Sequence, residues 1–387
     1  MPRKSNEAHK NPAQVGVHLV GSIPLSTSAD AFTKTAKALP GRLARIPDGE
    51  PAERHYFVAF QRDVFAAYPE AIGQDASFNT VPDVGSSSEA ATAKPNSGSL
   101  QTNYDTHALE SYRTFKQLRS EGSIDPGTKL QVCLPTPVNV LCLLAEGQKA
   151  RFESAYEEAL MNALGNIEKN IPHSDLTIQW DVAVEFAMME GVDSPLFAPF
   201  FSPVKEGIIT RVVRLVDAVA PSVEVGLHLC YGDVDHQHFT EPKDMALLVE
   251  VANSVKKHAK RPITYIHMPV PKARTDDEFF APLTNLDIGD AGLYLGVVHY
   301  DDLEGTRKRI AAAAKRLDGR NFGVATECGM GRTPPEQLDS ILEISAAVSA
   351  PYGPHSTSGN FSSSLKSWFL DAIKQARFYL KQRQITK

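Results

Sequence analysis

The sequence contains no uncharged apolar run long enough to cross a membrane, and the polar segment 1–10 is not followed by the apolar core of a secretory signal. A membrane-spanning helix needs about 20 consecutive apolar residues, and a signal peptide needs an apolar stretch behind its charged start. Neither pattern is present. We therefore expect a cytoplasmic protein without a membrane partner.

Positive charge and cysteine are both scarce. The chain has 40 Lys and Arg residues against 46 Asp and Glu residues, a formal net charge of −6, and no basic stripe. Nucleic-acid-binding proteins usually carry a concentrated basic surface, so this balance argues against such a partner. The four cysteines are too few and too scattered for a disulfide scaffold, which favours a reducing compartment.

The sequence does contain enough apolar material for a large core, since 42% of its 387 residues are hydrophobic and 22% are charged. Short apolar runs alternate with segments of helical periodicity, among them a predicted helix over about 53–67. Eight of the runs are predicted strands, at 14–20, 43–47, 129–134, 176–180, 223–230, 262–266, 293–298 and 322–325. Eight strands in alternation with helices predict an α/β fold, a (β/α)8 TIM barrel.

The predicted domain organisation follows from the same pattern. Residues 1–13 are polar and expected to be frayed, and residues 14–387 are expected to form one barrel that ends with an amphipathic helix near 364–382. The stretch 74–103 lacks apolar periodicity, and we interpret it as an insertion, more typical of an active-site cover than of a domain linker. A two-domain chain broken there would have too small a first half.

His228 and Cys230 lie two residues apart near the end of the fifth predicted strand. On a strand, residues two apart project from the same face, so the imidazole and the thiol would share one face. Cys328 ends the eighth strand segment in the same way. Thiolate and imidazole are the ligands that zinc prefers, and further ligands could come from elsewhere in the chain. The sequence therefore predicts a Zn²⁺ site at His228, Cys230 and Cys328.

A plainer interpretation is open for each of these residues taken alone, namely a buried thiol or a core histidine. We apply it to Cys133, which lies inside a strand, and to Cys142, which lies in an apolar run. The metal interpretation is preferred for the other three because a His-x-Cys pair and a further Cys occupy equivalent strand ends.

Polar side chains follow most of the other strands, and in a barrel these ends converge on the active site. Only the third strand end, 135–137, carries no reactive side chain. Each polar residue could instead cap a helix or end a turn, but a ring enriched in histidine, cysteine and carboxylates indicates a functional site. The candidates besides the metal ligands are Ser22, Asp48, Glu50, Asp181, His267, His299 and Glu327.

In the order and type of these motifs, the chain resembles the cobalamin-independent methionine synthase family, within the uroporphyrinogen decarboxylase/methionine synthase-like superfamily. The resemblance spans nearly the whole chain as a series of short motifs, and the overall pattern is similar to that of single-barrel members. The segments that carry it are Val20–Pro24, Asp48–Arg54, Gln179–Asp181, His228–Tyr231 and Glu327–Arg332. Its most specific parts are the His-x-Cys pair and the late cysteine.

The resemblance implies a zinc-dependent enzyme that activates a small thiol or an amino-acid-like substrate for alkyl (methyl) transfer. It also implies that Glu50 and Asp181 hold a substrate ammonium group, that Ser22 holds a carboxylate, and that His299 serves as an acid/base. The remaining candidates are Asp48 and Glu327 for substrate binding, and His267 and Tyr231 for catalysis.

Three features of the sequence depart from that family. The chain has room for one barrel where the synthase has two, and no segment matches an aromatic surface for folate. The sixth strand has His267 where the family has a glutamate zinc ligand, so His267 is a candidate fourth ligand, with solvent or substrate as the alternatives. A zinc-dependent hydrolase or lyase for a small metabolite, a metal-free decarboxylase and a non-catalytic scaffold therefore remain alternatives.

Overall fold

The computed structural model describes residues 14–56, 58–73, 95–232 and 237–352. Each strand in these ranges overlaps one of the predicted strands. The strands are β1 (Gln14–His18), β2 (Arg45–Pro47), β3 (Lys129–Pro135), β4 (Leu176–Val182), β5 (Glu224–Leu229), β6 (Tyr265–Pro269), β7 (Gly292–Val298) and β8 (Phe322–Thr326).

All paired strands are parallel, in the order β1-β8-β7-β6-β5-β4-β3-β2. The two ends of this order are joined by a short parallel bridge between Ser22 and Gly49, just after β1 and β2. A sheet whose first and last strands meet in this way forms a barrel, with the connecting helices on its outside. The predicted (β/α)8 TIM barrel is therefore confirmed.

Helices connect the strands in the described part of the chain. They are α1 (Ser28–Ala38), α2 (Tyr104–Ser120), α3 (Pro137–Leu141), α4 (Lys149–Asn170), α5 (Val184–Met189), α6 (Val204–Ala218), α7 (Ala246–His258), α8 (Asp277–Phe280), α9 (Leu303–Ala314) and α10 (Leu338–Val348). Each of the longer ones has one buried face against the barrel, as an amphipathic helix requires.

One predicted helix is wrong. The segment expected to be α-helical over about 53–67 instead forms two 3-10 segments, Ala52–Tyr56 and Ala59–Phe65. The fully buried ring of Phe65 packs against Phe152 of α4, with 5.6 Å between ring centroids. Tertiary packing of this kind overrides a local helical preference, which is worth only tenths of a kcal/mol per residue.

The alternation of side chains along β4 shows how the barrel presents polar groups to its interior. All of β4 is buried, but apolar Ile178 and Trp180 alternate with Gln179 and Asp181. Because neighbouring strand residues face opposite sides, one set packs under the helices and the other lines the barrel. Gln179 belongs to the inner set, since its amide nitrogen donates to the Val20 carbonyl at 2.7 Å.

The N-terminal end of the barrel is closed by aromatic and cationic side chains. The Arg45 guanidinium lies 4.0 Å from the centroid of the Tyr265 ring and donates to the Tyr294 hydroxyl at 3.3 Å. The Tyr294 hydroxyl in turn lies 2.5 Å from that of Tyr352. A Cβ at Gly16 would lie 2.1 Å from the Tyr352 hydroxyl, so only glycine fits beneath this ring. The functional site must lie at the opposite end.

Several predictions about domain organisation concern residues outside the described ranges. These are the frayed 1–13, most of the insertion 74–103, and the final helix near 364–382. Of the insertion, residues 95–103 are described and contain a single 3-10 turn, Ser97–Ser99. The division into 1–13, a barrel over 14–387 and an insertion at 74–103 stays a prediction. Among the described helices, none combines the length and apolarity that a membrane crossing requires.

Candidate metal centre and active site

Three potential metal ligands meet at the C-terminal end of the barrel. His228 lies in β5, Cys230 follows its end, and Cys328 follows β8. The two Sγ atoms are 3.6 Å apart, and Cys328 Sγ lies 3.8 Å from His228 Nε2. The ligand atoms of all three residues lie within 4.8 Å of one another. The closure of the sheet brings β5 and β8 to the same site, as the spacing of the motif predicts.

These separations fit a tetrahedral zinc ion. Zinc binds sulfur at about 2.3 Å and imidazole nitrogen at about 2.0–2.1 Å, so tetrahedral angles place two sulfurs about 3.8 Å apart and sulfur and nitrogen about 3.6 Å apart. The Sγ–Sγ and Sγ–Nε2 distances of 3.6 and 3.8 Å are within a few tenths of an ångström of these values. The ligand atoms of His228 and Cys230 lie within 4.8 Å of each other, so the three residues could converge on one zinc ion after a small approach of these two.

His267 supports His228 from behind. Its Nε2 lies 3.0 Å from the Thr326 carbonyl oxygen, which can only accept, so this nitrogen carries the proton. Burial lowers the pKa of His267 to about 3, which keeps the ring neutral and leaves Nδ1 as an acceptor. The Nδ1 of His228, 2.7 Å away, must then donate to it. His228 Nε2 is thereby left unprotonated and directed at Cys328, as a metal ligand must be.

The contacts of His267 bear on its candidacy as a fourth ligand and favour the alternative of solvent or substrate. Both of its nitrogens are engaged, one by Thr326 and one by His228, so neither is directed at the two thiols. Burial, followed by the effect of His267, lowers the pKa of His228 well below its usual value, which also favours the neutral ligand form. Three ligands from the described residues are thus brought together, and a fourth coordination position is left to substrate or solvent.

Of the two carboxylates in the second strand motif, that of Asp48 is hydrogen-bonded to other groups of the protein. It accepts hydrogen bonds from Arg54 at 2.7 Å, from the Ser111 hydroxyl at 2.6 Å and from the Glu50 amide at 3.0 Å. Burial acts to raise the pKa of Asp48, but Arg54 and these hydrogen bonds outweigh it and lower the pKa. Asp48 holds Arg54 and the following turn in place. Its predicted contact with substrate stays a prediction.

Glu50 and Asp181 differ from Asp48 because burial outweighs the favourable contacts at both of them. Burial raises the pKa of Glu50 to about 7. Burial, with the charge of Glu50 as the next cause, raises the pKa of Asp181 well above its usual value. Two neighbouring buried carboxyls of this kind bind either a proton or a cation. They line a narrow cleft together with Arg54, Phe60, Tyr104, Cys133 and Pro135.

Ser22 contacts the loop that carries Cys328. Its hydroxyl accepts a hydrogen bond from the Gly331 amide at 3.0 Å, and its carbonyl accepts one from the Met330 amide at 2.7 Å. A Cβ at Gly329 would lie 2.5 Å from the Ser22 hydroxyl oxygen, so the two segments are in close contact. The structure thus shows Ser22 fixing the Cys328 loop, and its contact with a substrate carboxylate stays a prediction.

Glu327 lies between two histidines. Its Oε1 is 2.9 Å from His238 Nε2, and its Oε2 is 3.9 Å from His299 Nδ1. The other nitrogen of His299, Nε2, lies 2.9 Å from the Val270 carbonyl and must donate to it. Burial lowers the pKa of His299, so the neutral ring presents Nδ1 as a base. This nitrogen could accept a proton, as the predicted acid/base role of His299 requires.

Tyr231 points away from the thiols. Its hydroxyl donates to Glu190 at 3.0 Å, and its ring packs on Phe186 of α5, 5.1 Å between centroids. Burial raises the pKa of Tyr231, so the phenol stays protonated. Residues 230 and 231 face opposite sides of an extended chain, and the face of Cys230 is the one directed into the barrel. The structure shows Tyr231 in packing and hydrogen-bond contacts, and its catalytic role stays a prediction.

Sequence reasoning missed a buried group at the third strand end. The Thr136 hydroxyl donates to the carboxylate of Glu185, and the Ala183 amide donates to the same carboxylate at 3.0 Å. Glu185 is only 1% exposed, and burial raises its pKa to about 7. The segment 135–137 therefore contributes a polar contact through Thr136, which also caps α3. Neither residue had a sequence signal, because the contact joins the start of α3 to the first turn of α5.

The ionisation of Glu185 should make the stability of the metal-free protein fall as pH rises. The folded form holds its proton up to about pH 7, whereas the unfolded chain releases it near 4.5. Stability contributed by the protonated form is present below pH 4.5 and is lost as pH rises through 7, by up to about 3 kcal/mol. Glu185→Gln should reduce this slope in urea unfolding measured from pH 4.5 to 8, and exposed Glu304→Gln should not. Parallel slopes in all three proteins would show that Glu185 is ionised alike in both states.

Missed residues also link the barrel interior to Asp181. The Gln179 side-chain oxygen faces His18 Nε2 at 2.9 Å and accepts from the Tyr265 hydroxyl at 3.0 Å. Its amide nitrogen is therefore the group that donates to Asp181 Oδ1, at 2.8 Å. This network fixes the direction of the Asp181 carboxylate. Its sequence signal was the polar residue in an otherwise apolar strand.

The fold and site together define a (β/α)8 barrel with a His/Cys/Cys cluster and buried carboxyls at the C-terminal ends of its strands. No family model and no curated protein matches the chain. Among solved structures, it is similar to a B12-independent methionine synthase from a Shewanella species in complex with selenomethionine, with 17% identity and a TM-score of 0.44. That overlap covers 63% of this chain and 64% of the Shewanella chain, less than two thirds of its length.

Two further solved structures overlap with the chain. One, from Listeria monocytogenes, is described as a candidate vitamin-B12-independent methionine synthase; it has 12% identity and a TM-score of 0.42, over 88% of this chain and 100% of that one. The other is the carboxyl transferase domain of Rhizobium etli pyruvate carboxylase, with 13% identity and a TM-score of 0.30, over 68% and 42% of the two chains. The Shewanella and Listeria descriptions name the family that the sequence motifs resemble. The function proposed below rests on the geometry of the site.

Proposed function

We propose that this protein is a zinc-dependent enzyme that transfers an alkyl group, such as methyl, to the sulfur of a small amino-acid-like thiol. The observation that carries the proposal is the adjacency of two features. Asp181 and His228 are direct partners in the β4–β5 pairing, so the carboxyl cleft lies next to the His/Cys/Cys cluster. A small substrate could place its amino end in the carboxyl cleft and its sulfur end at the His/Cys/Cys cluster.

The cluster supports the sulfur end of such a substrate. His228, Cys230 and Cys328 would hold zinc and leave one position for a ligand from the substrate. Zinc bound there would lower the pKa of a substrate thiol, so that its sulfur is nucleophilic near neutral pH. The Nδ1 of His299 is a base that could receive the released proton, and Glu327 lies beside it to stabilise the resulting charge.

The carboxyl cleft supports the amino end. The pKa values of Glu50 and Asp181 are raised by burial, and a substrate ammonium group would favour the charged form of both. Arg54 and Arg332 act to lower the pKa of Glu50, but burial outweighs them, and Arg54 is paired directly with Asp48. An amino group on the substrate therefore fits the cleft better than a neutral or anionic group.

A zinc-dependent hydrolase or lyase is the second candidate. It is favoured by the same basic Nδ1 of His299, because proton transfer to a bound small molecule is central to those reactions. The two candidates differ in their products. Transfer gives a thioether and consumes a free thiol, whereas hydrolysis or elimination does not.

The direct test is thiol binding at the metal centre. The full chain would be loaded with cobalt in place of zinc, and an amino-acid thiol, such as cysteine or its one-carbon-longer homologue, would be added. We expect a new sulfur-to-cobalt absorption band at saturating thiol, followed by loss of free thiol when an alkyl donor is supplied. An unchanged spectrum at millimolar thiol would overturn the transferase and leave the hydrolase or lyase.

A further inference from the structure

The loop after β5 and the loop after β8 are joined by one imidazole. His238 Nε2 lies 2.9 Å from Glu327 Oε1, and His238 Nδ1 lies 2.9 Å from Glu241 Oε1. The His238 side chain is only 12% exposed, whereas that of Glu241 is 76% exposed. The contact with Glu327 is thus the inner one of the two, and it crosses between the loops.

Both ring nitrogens of His238 face carboxylate oxygens at 2.9 Å, and a carboxylate oxygen can only accept a hydrogen bond. These two contacts favour the charged imidazolium, the form in which both nitrogens carry a proton. Burial acts to lower the pKa of His238, but Glu327 and Glu241 outweigh it and raise the pKa to about 9. The His238 and Glu327 side chains are only 12% and 22% exposed, so solvent screens the attraction between them less than it would at the surface.

Both ends of this ion pair are attached to a thiol-bearing segment. Glu327 is the residue before Cys328. On the other side, the Phe239 amide donates to the Tyr231 carbonyl at 2.8 Å, and the Gly232 amide donates to Cys230 Sγ at 3.2 Å. The segment that carries His238 is thereby folded back onto the segment that carries Cys230. The ion pair therefore spans the same gap as the two sulfurs.

We infer that His238 is a positioning residue that sets the separation of Cys230 and Cys328, acting through Glu327. The inference rests on the metal centre of the proposed function. It assigns no contact between His238 and substrate or metal. Because its ion pair is formed within the protein, His238 acts before any ligand is present and lowers the cost of bringing two thiolates together around one ion.

The test measures zinc affinity of the full chain by competition with a chromophoric chelator. We expect His238→Gln and Glu327→Gln each to weaken zinc binding by about 10-fold or more, the effect typical of residues that orient metal ligands. The double variant should be no weaker than the worse single variant, because both changes break one contact. Glu241→Gln and the exposed His258→Gln should stay within about twofold of wild type.

A second measurement separates positioning from general damage to the fold. The visible spectrum of the cobalt-loaded variants should shift in His238→Gln and Glu327→Gln, since altered sulfur spacing changes the coordination geometry, while Tm of the metal-free proteins should change little. Equal zinc affinity in His238→Gln and wild type would overturn the inference and leave the proposed function standing. The inference would also be overturned if the losses of zinc affinity in the two single variants multiplied in the double variant. A lower Tm of the variants with an unchanged cobalt spectrum would overturn it as well. A wild-type chain that binds no zinc would overturn both.

Discussion

Replacing Cys230 or Cys328 with serine is expected to remove zinc from the protein. Wild type purified without chelator should contain about one zinc per chain by elemental analysis, and each single variant should contain almost none. The physical reason is that a serine hydroxyl stays protonated near neutral pH and is a poor ligand for zinc. Loss of a direct ligand should weaken affinity by more than about 100-fold, because loss of a supporting residue already costs about 10–100-fold.

The matched control for these variants is Cys142→Ser. Cys142 is buried, but its thiol donates to the Asn139 carbonyl at 3.0 Å, a bond that a serine hydroxyl can replace. Zinc content in this variant should equal that of wild type. If wild type and both ligand variants contain the same amount of zinc, the metal is held elsewhere and the centre described above is wrong. If wild type takes up none after reconstitution, both zinc-dependent functions fail and the decarboxylase and scaffold alternatives gain weight.

Replacing Asp181 with asparagine is expected to cause the largest loss of substrate affinity. Asparagine keeps an oxygen that can accept from Gln179, so the local geometry is retained and only the negative charge is lost. Removing one partner of a buried charged pair typically costs about 2–5 kcal/mol, which corresponds to a loss of about 30-fold to several thousandfold in affinity. The measurement is the Kd of an amino-acid thiol, read from the cobalt absorption band. Glu50→Gln should act in the same direction.

The control is the same thiol without its amino group. Because this ligand has no cation for the cleft, its Kd should change less than about threefold between wild type and Asp181→Asn. A surface variant, Asp287→Asn, should leave both ligands unaffected, since Asp287 pairs with Lys256 on the exterior. If Asp181→Asn weakened both thiols equally, Asp181 would be acting on the metal centre and not on the ammonium group.

The barrel and the ligand cluster could both be predicted from the sequence, for the same reason. Side-chain alternation places His228 and Cys230 on one face, and closure of a parallel sheet brings Cys328 to the same end. Both rules depend on local pattern and strand count, which the sequence contains. The 3-10 segments after β2 were not predictable, because there the contacts of Phe65 with α4 decide the path.

The role of His267 shows where sequence reasoning ends. Its residue type and strand position fit a ligand, but its ring is engaged by a carbonyl of β8 on one side and by His228 on the other. These two contacts decide which nitrogen of His267 is available to a metal ion, and neither contact can be predicted from the sequence. The same holds for Glu185, whose partner Thr136 lies at the start of α3.

The packing of Ser22 on the Cys328 loop also implies how related chains could vary. A Cβ at Gly331 would lie 2.8 Å from the Ser22 Cβ, and one at Gly329 would lie 2.5 Å from the Ser22 hydroxyl oxygen. A side chain at either glycine would therefore crowd Ser22, and a Cβ at Gly331 would also lie 3.0 Å from the His55 carbonyl oxygen. In distant homologues we expect positions 22, 329 and 331 to change together. A serine after the first strand, combined with a Cys-Gly-x-Gly sequence after the last strand, is therefore a pattern for finding chains with the same Cys328 loop.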